Sequence, residues 1–283
     1  SRPPNPLFIK LHFEFELAKH LSSKIWGLVG RRPMVAIAAL LFAFSAHAEP
    51  MTIAAAADLK FAMNELVTTF RKSNPKDAVD VIYGSSGQFQ TQIQQGAPFD
   101  MFFSADIGFP RELAKTGLAA SEPRPYAFGR IVLWSSTMDA TKMTLASLAD
   151  PKIDRIAIAN PKHAPYGKRA EEALRAAGVW EKVQPKLVFG ENIAQTAQYV
   201  STGNAQVGII ALSLAVNPEL VKKGGYWLIP DKLHLPLEQG YVITKRAESN
   251  PTSKRFAEYM SSKPARAVMT KYGFVLPAEV AGK

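Results

Sequence analysis

From residue 51 onward the chain alternates short apolar runs with amphipathic stretches. The runs "MTIAAAA" (51–57), "VDVIYG" (79–84), "FDMFFSAD" (99–106), "RIVLWSS" (130–136), "RIAIAN" (155–160), "KLVFG" (186–190), "VGIIAL" (207–212), "YWLIP" (226–230) and "GYVITK" (240–245) read as strands. They are short, rich in β-branched and aromatic residues, and bounded by turn formers. Between them "DLKFAMNELVTTFRKS" places Leu59, Met63, Leu66 and Phe70 on one face at helical period. Asp58 stands where the N-cap of that helix belongs. "QFQTQIQQG" is a second helix closed by Gly96, and further helices are expected over 166–177, 193–202 and 252–261. Alternating βα units predict an α/β fold with mostly parallel sheets and helices on both faces.

In open α/β sheets, ligands sit beyond the carboxyl ends of strands, at helix starts. Four junctions qualify: Ala57-Asp58, Ser85-Ser86-Gly87, Pro165-Tyr166-Gly167 and Glu191-Asn192-Ile193-Ala194. Helix starts leave backbone N–H groups unpaired and carry about half a positive charge each. Four aimed at one point supply about two units of positive partial charge, which suits a dianion without any cationic side chain.

The N-terminal segment changes the charge picture. Arg31-Arg32, the apolar run "MVAIAALLFAF" (34–44) and "AHA" (46–48) have the layout of a secretion signal cleaved after Ala48. The competing reading, a short membrane anchor, has a run too short to span a bilayer with ease. Residues 1–30, ahead of Met34, are read as an upstream extension. The net charge of +10 drops to +6 without residues 1–48. No basic stripe interleaves with aromatics, so nucleic acid is not an expected partner. The sequence has no cysteine, which removes disulfides, thiol chemistry and the lipid-bearing cysteine of surface lipoproteins. Export without cysteine points to the periplasm.

The strings "GAPFDMFFSAD" (96–106), "NPKHAPYGKRAEEAL" (160–174), "GVWEKVQPKLVFGENIAQ" (178–195) and "KYGFVLP" (271–277) resemble the periplasmic molybdate-binding proteins of ABC transporters. The resemblance runs from about residue 51 to 277. It implies two α/β lobes joined by two hinge crossovers, similar to the type II periplasmic binding proteins, with an oxyanion between them. The expected organisation is an upstream extension and signal peptide over 1–48, one lobe from 49–128 plus 241–283, and a second from 129–240. By position, the family's oxyanion contacts fall on Ala57, Asp58, Ser86, Tyr166 and Ile193. The implied ligand is molybdate or tungstate, with molybdenum held as an oxyanion and not coordinated directly by protein atoms. No other cofactor is implied. The implied partners are an inner-membrane ABC permease and its ATPase, and the chain is expected to act as a monomer. Two positions depart from the family: Asp58 stands where many members carry serine, and Ala211 where some carry tyrosine. The Tyr166 hydroxyl is available to compensate.

Asp58 is the difficult residue. An ionised carboxylate a few ångströms from a dianion costs several kcal/mol at intermediate dielectric. Its N–H is therefore expected to face the ligand while its side chain caps or turns away. Hydrogen phosphate carries a proton and wants an acceptor, whereas molybdate, tungstate and sulfate carry none. Asp58 thus keeps another tetrahedral oxyanion, phosphate or sulfate, as the alternative ligand. Asp100 and Asp106 read as turn and cap partners. Lys168 and Arg169 read as anion-steering or solvent-facing.

An enzyme is not expected. "GSSGQ" is not the G-x-S-x-G of a nucleophile elbow. His163, a candidate base for a serine hydrolase, would have to reach Ser86 across the lobes. No His/Asp/Glu cluster has metal-ligand spacing. The effector domain of a transcription regulator is a third class, opposed by the export signal and the lack of a helix-turn-helix.

Overall fold

A computed structural model describes residues 50–280. The expected signal peptide and its cleavage point lie outside the described residues. Two five-stranded sheets organise the rest. The first has the order β2-β1-β3-β10-β4, built from β1 (Met51–Ala56), β2 (Val79–Gly84), β3 (Met101–Ser104), β4 (Arg124–Gly129) and β10 (Leu237–Ile243). The second has the order β7-β6-β8-β5-β9, from β5 (Ile131–Ser135), β6 (Ile156–Ala159), β7 (Leu187–Gly190), β8 (Val207–Ala211) and β9 (Gly225–Leu228). Each sheet is therefore half of one plan, repeated.

The sheets are mixed. β1 runs parallel to β2 and β3, and β6 parallel to β7 and β8. β10 is antiparallel to β3 and β4, and β5 antiparallel to β8 and β9. The expected parallel character holds where βα units repeat. It ends at β10 and β5, which enter from the other lobe and so run the opposite way.

Strand alternation explains why apolar runs are continuous. In the first sheet Ile53, Ala55, Met101, Phe103 and Tyr241 face one cluster. Their neighbours Ala54, Phe102 and Val242 face another with Phe89, Ile93 and Leu113. A strand covered on both faces has no polar side to show. Helix α1 (Lys60–Ser73) covers the first face with Met63, Leu66 and Phe70. It is joined there by α7 (Pro251–Met260) and α8 (Lys263–Lys271). Helices α2 (Ser86–Gln94) and α3 (Gly108–Lys115) cover the second. In the second lobe α4 (Pro165–Ala176) and α5 (Ile193–Ser201) pack on a core that includes the fully buried Trp134.

The chain crosses between sheets at Arg130, the single residue separating β4 from β5, and returns between β9 and β10. Gly129 and residues 237–240 thus pair in the first sheet, although the sequence reading put both in the second lobe. Nothing local marks these ends, because the apolar pattern runs straight through each crossing. Arg130 Nε lies 2.7 Å from Asp231 Oδ1, tying one crossing to the other.

Candidate functional site

All four strand–helix junctions meet. Ala57, Asp58, Ser86, Tyr166 and Ile193 line one cavity between the lobes, together with Ala56, Gly84, Ser85, Ala105, Ala164 and Pro165. No lysine, arginine or histidine is among these lining residues. A wider groove of about 720 Å³ lies between Phe61 and Tyr83 of one lobe and Gln195 and Gln198 of the other.

The caps leave the first N–H of each element unclaimed. Asn192 Oδ1 accepts from Ala194 and Gln195 N–H at 3.0 Å, not from Ile193. Ser85 Oγ accepts from Gln88 N–H at 3.5 Å, so Ser85 is the N-cap of α2 and Ser86 its first residue. No side chain caps α4, which begins with Pro165 followed by Tyr166. No side chain caps the 3₁₀ turn Ala57–Leu59 either. Ser86 Oγ accepts from Ala105 N–H at 3.0 Å, which leaves its hydroxyl proton to be given elsewhere.

Asp58 does not cap a helix. The 3₁₀ turn intervenes, and α1 starts two residues later at Lys60. Its side chain is buried, and Oδ2 accepts from Tyr166 Oη and from Gln239 Nε2, both at 2.8 Å. Gln239 Nε2 also lies 3.0 Å from the Tyr166 hydroxyl. Asp58 Oδ1 has no hydrogen-bond partner. Burial pushes the carboxyl pKa up to about 6. The bonds from Gln239 and Tyr166 oppose that rise, and the nearby N–H groups of Asp58 and Leu59 oppose it weakly, without the geometry of a directed bond to Oδ1. Burial raises the Tyr166 phenol well above its usual range, helped by the Asp58 charge, so Tyr166 stays a donor. Its hydroxyl is therefore committed to Asp58, and its backbone N–H is the group left for a ligand. Room for this cluster comes from Gly129, whose Cβ would collide with the Tyr166 hydroxyl and come within 2.6 Å of Gln239 Nε2.

Around the cavity the lobes touch repeatedly. Ser213 Oγ, on the short helix α6 (Leu212–Ala215), donates to the Asp58 carbonyl at 2.8 Å. Ala211, the fully buried residue before α6, does not line the cavity. Gly87 N–H donates to the His163 carbonyl at 2.9 Å, and His163 Nδ1 lies 2.8 Å from Ser85 Oγ. Gln88 Nε2 donates to Glu191 Oε2 at 3.0 Å, and His163 Nε2 lies 3.5 Å from that same oxygen. The "GSSG" turn therefore has a histidine beside it, supplied by the other lobe, and the histidine meets Ser85 instead of Ser86. Arg169 is buried, 2.7 Å from Glu172 and 3.6 Å from Asp106, so it neither faces solvent nor lines the cavity. Asp106 Oδ1 accepts from Gly108 N–H at 2.8 Å, and Asp100 Oδ2 from Thr52 N–H at 2.8 Å.

Gln239, Ser213 and Ala105 escape sequence reasoning. Each sits in an ordinary strand, turn or short helix, and only long-range packing brings it to the site. Gln239 lies just ahead of the apolar run 240–243, beside Glu238, and is fully buried in β10.

Comparison with known proteins gives a consistent result. The family model described as bacterial extracellular solute-binding protein matches residues 51–275. The chain is 35% identical to the molybdate-binding protein ModA of Azotobacter vinelandii, over 87% of this chain and 97% of that protein. It is 37% identical to the molybdate-binding protein ModA of Rhodobacter capsulatus, over 70% of this chain and 77% of that one. The solved structure of the Azotobacter vinelandii periplasmic molybdate-binding protein superposes with a TM-score of 0.76 at 30% identity, covering 80% of this chain and 99% of that one.

Proposed function

The chain belongs to the bacterial extracellular solute-binding protein family, and from that premise we propose that it is a receptor for molybdate. It takes the anion in the periplasm and hands it to an ABC importer's permease and ATPase. The observation that carries this reading is the cavity at the four junctions, which offers N–H donors and a serine hydroxyl but no cationic side chain. Converging N–H dipoles supply the charge complement of a dianion there.

Ala57, Asp58, Ser86, Tyr166 and Ile193 hold the anion, chiefly through backbone N–H groups, with Ser86 adding its hydroxyl. Residues 50–129 with 237–280 move as one body against 130–236, and closure is a hinge motion about the two crossings. Fixed donors that suit a large tetrahedral anion cannot all reach a smaller one, so sulfate is rejected by size. Tungstate matches molybdate and is accepted. The receptor works as a monomer and catalyses nothing. Ser85, His163 and Glu191 act as a latch between lobes, because Ser85 is buried and already caps α2.

Calorimetry with molybdate, tungstate, sulfate and phosphate tests the reading. Tight binding of the first two with weak or absent binding of the others is expected. Silence towards molybdate with tight sulfate or phosphate binding would overturn it. Hydrogen phosphate is the second reading, favoured by one observation: Asp58, a residue that lines the cavity, has an unpartnered acceptor in Oδ1.

A further inference from the structure

The Asp58 carboxyl group is an anomaly in an anion site, and its geometry says what it does there. Asp58 lines the cavity and is 1% exposed. Oδ2 is occupied by two donors, Tyr166 Oη and Gln239 Nε2. Oδ1 has none, although it is out of contact with solvent. Any polar contact between this carboxyl group and a ligand therefore falls to Oδ1.

An ionised Oδ1 is a pure acceptor, and a molybdate oxygen is too. The two cannot bond each other, and in a buried site their charges repel strongly. One proton reverses both effects. It makes the carboxyl group neutral and turns Oδ1 into an O–H donor, while Oδ2 keeps its two bonds.

We propose that Asp58 is the proton-carrying residue of the loaded site: molybdate binds together with one proton from solvent, which is held on Asp58 Oδ1. The step balances simply: the carboxylate and the dianion enter with charges of minus one and minus two, one proton is taken up, and the loaded site carries minus two. This inference rests on the molybdate reading above and adds to it a defined stoichiometry and a specificity role for Asp58. Hydrogen phosphate already carries its proton and can give it to Oδ1 without uptake from solvent.

The surroundings allow this. The titratable groups packed against Asp58 are phenols. Tyr166 lies on α4 and Tyr126 on β4, and burial keeps both protonated by raising their pKa well above the usual range. Gln239 on β10 and Ser213 on α6 are neutral. Among the described residues no lysine, arginine or histidine bonds the carboxyl group. His163 and Glu191, on the same lobe contact, meet Ser85 and Gln88 instead. The carboxyl pKa, about 6 before any anion enters, places the proton within easy reach at neutral pH.

The test is calorimetry of molybdate binding in pairs of buffers with different ionisation enthalpies, which counts protons. The wild-type chain is expected to take up about half a proton at pH 6 and about one at pH 8, with affinity falling about tenfold per pH unit above pH 7. Asp58→Asn, whose amide mimics the protonated group, should bind with no proton uptake and with affinity level from pH 6 to 8. Tyr166→Phe, which removes a bond favouring the carboxylate, should move the onset of the pH dependence upward. Zero uptake by the wild-type chain at pH 8 would overturn the proposal and leave the molybdate reading standing. Uptake persisting in Asp58→Asn would also overturn it, assigning the proton to another group. No molybdate binding at either pH would sink the molybdate reading, and the proposal with it.

Discussion

The Tyr166 hydroxyl donates to Asp58 Oδ2 at 2.8 Å, and the two residues stand on opposite lobes. The bond exists only while the lobes are together, so it belongs to the closed form. Removing it leaves the buried Asp58 Oδ2 one donor short in the closed form, which costs about 1–3 kcal/mol. Tyr166→Phe is expected to weaken molybdate binding by roughly five- to a hundred-fold, mainly through faster release. Stopped-flow release rates check this. An unchanged rate would show that closure does not depend on the phenol.

Ser86 gives a cleaner test of the anion contacts. Its Oγ accepts from Ala105 N–H at 3.0 Å, leaving its proton for a ligand. Ser86→Ala should lower affinity by about 1–3 kcal/mol, the range for losing a charge-assisted bond in a buried site. It should also cost about 1 kcal/mol of stability, because Ala105 N–H loses its acceptor. Calorimetry and a denaturant titration separate the two effects.

Gly87 meets the other lobe by its backbone. A Cβ there would stand 2.8 Å from the His163 carbonyl oxygen, closer than real contacts allow. That oxygen is backbone and cannot swing aside. Gly87→Ala should hold the lobes apart, giving a larger radius of gyration in small-angle scattering with molybdate present. An identical scattering curve would mean that the His163 segment yields instead.

Asp58 also makes stability depend on pH. Its folded pKa of about 6 lies above the ordinary aspartate value of about 3.9. A group raised on folding contributes stability that is fully present below pH 4 and is lost as pH rises through 6. The shift of about two units corresponds to about 3 kcal/mol. Glu65 and Asp77 act in the opposite sense, since Lys271 and Arg255 hold their carboxyl groups below the usual range. They are present in both proteins compared, so they cancel. Melting curves of the ligand-free wild-type chain and Asp58→Asn should therefore diverge between pH 4 and pH 8, in favour of the variant at high pH. A constant difference across that range would show that Asp58 does not titrate there.

Much of this was readable from the chain alone. Strand and helix positions follow from hydrophobic period, which is set within a few residues. The four junctions that line the cavity were readable too, because a strand end followed by a helix start exposes the same N–H groups wherever it occurs. The family strings added the two-lobe plan. The antiparallel strands β5 and β10 and the crossing points were not legible, since the apolar pattern does not change where the chain passes from one lobe to the other.

What only the tertiary structure decided is which groups face each other across long stretches of sequence. Asp58 finds its donors at Tyr166 and Gln239, and Ser85 finds His163. Local chemistry reads Asp58 as a helix cap, but packing gave its Oδ2 two other donors and left Oδ1 with none. The sequence determined where strand ends feed helix starts, and so where backbone dipoles collect into one site. The burial of one carboxyl group, set by residues on three separate elements, decided how that site is charged.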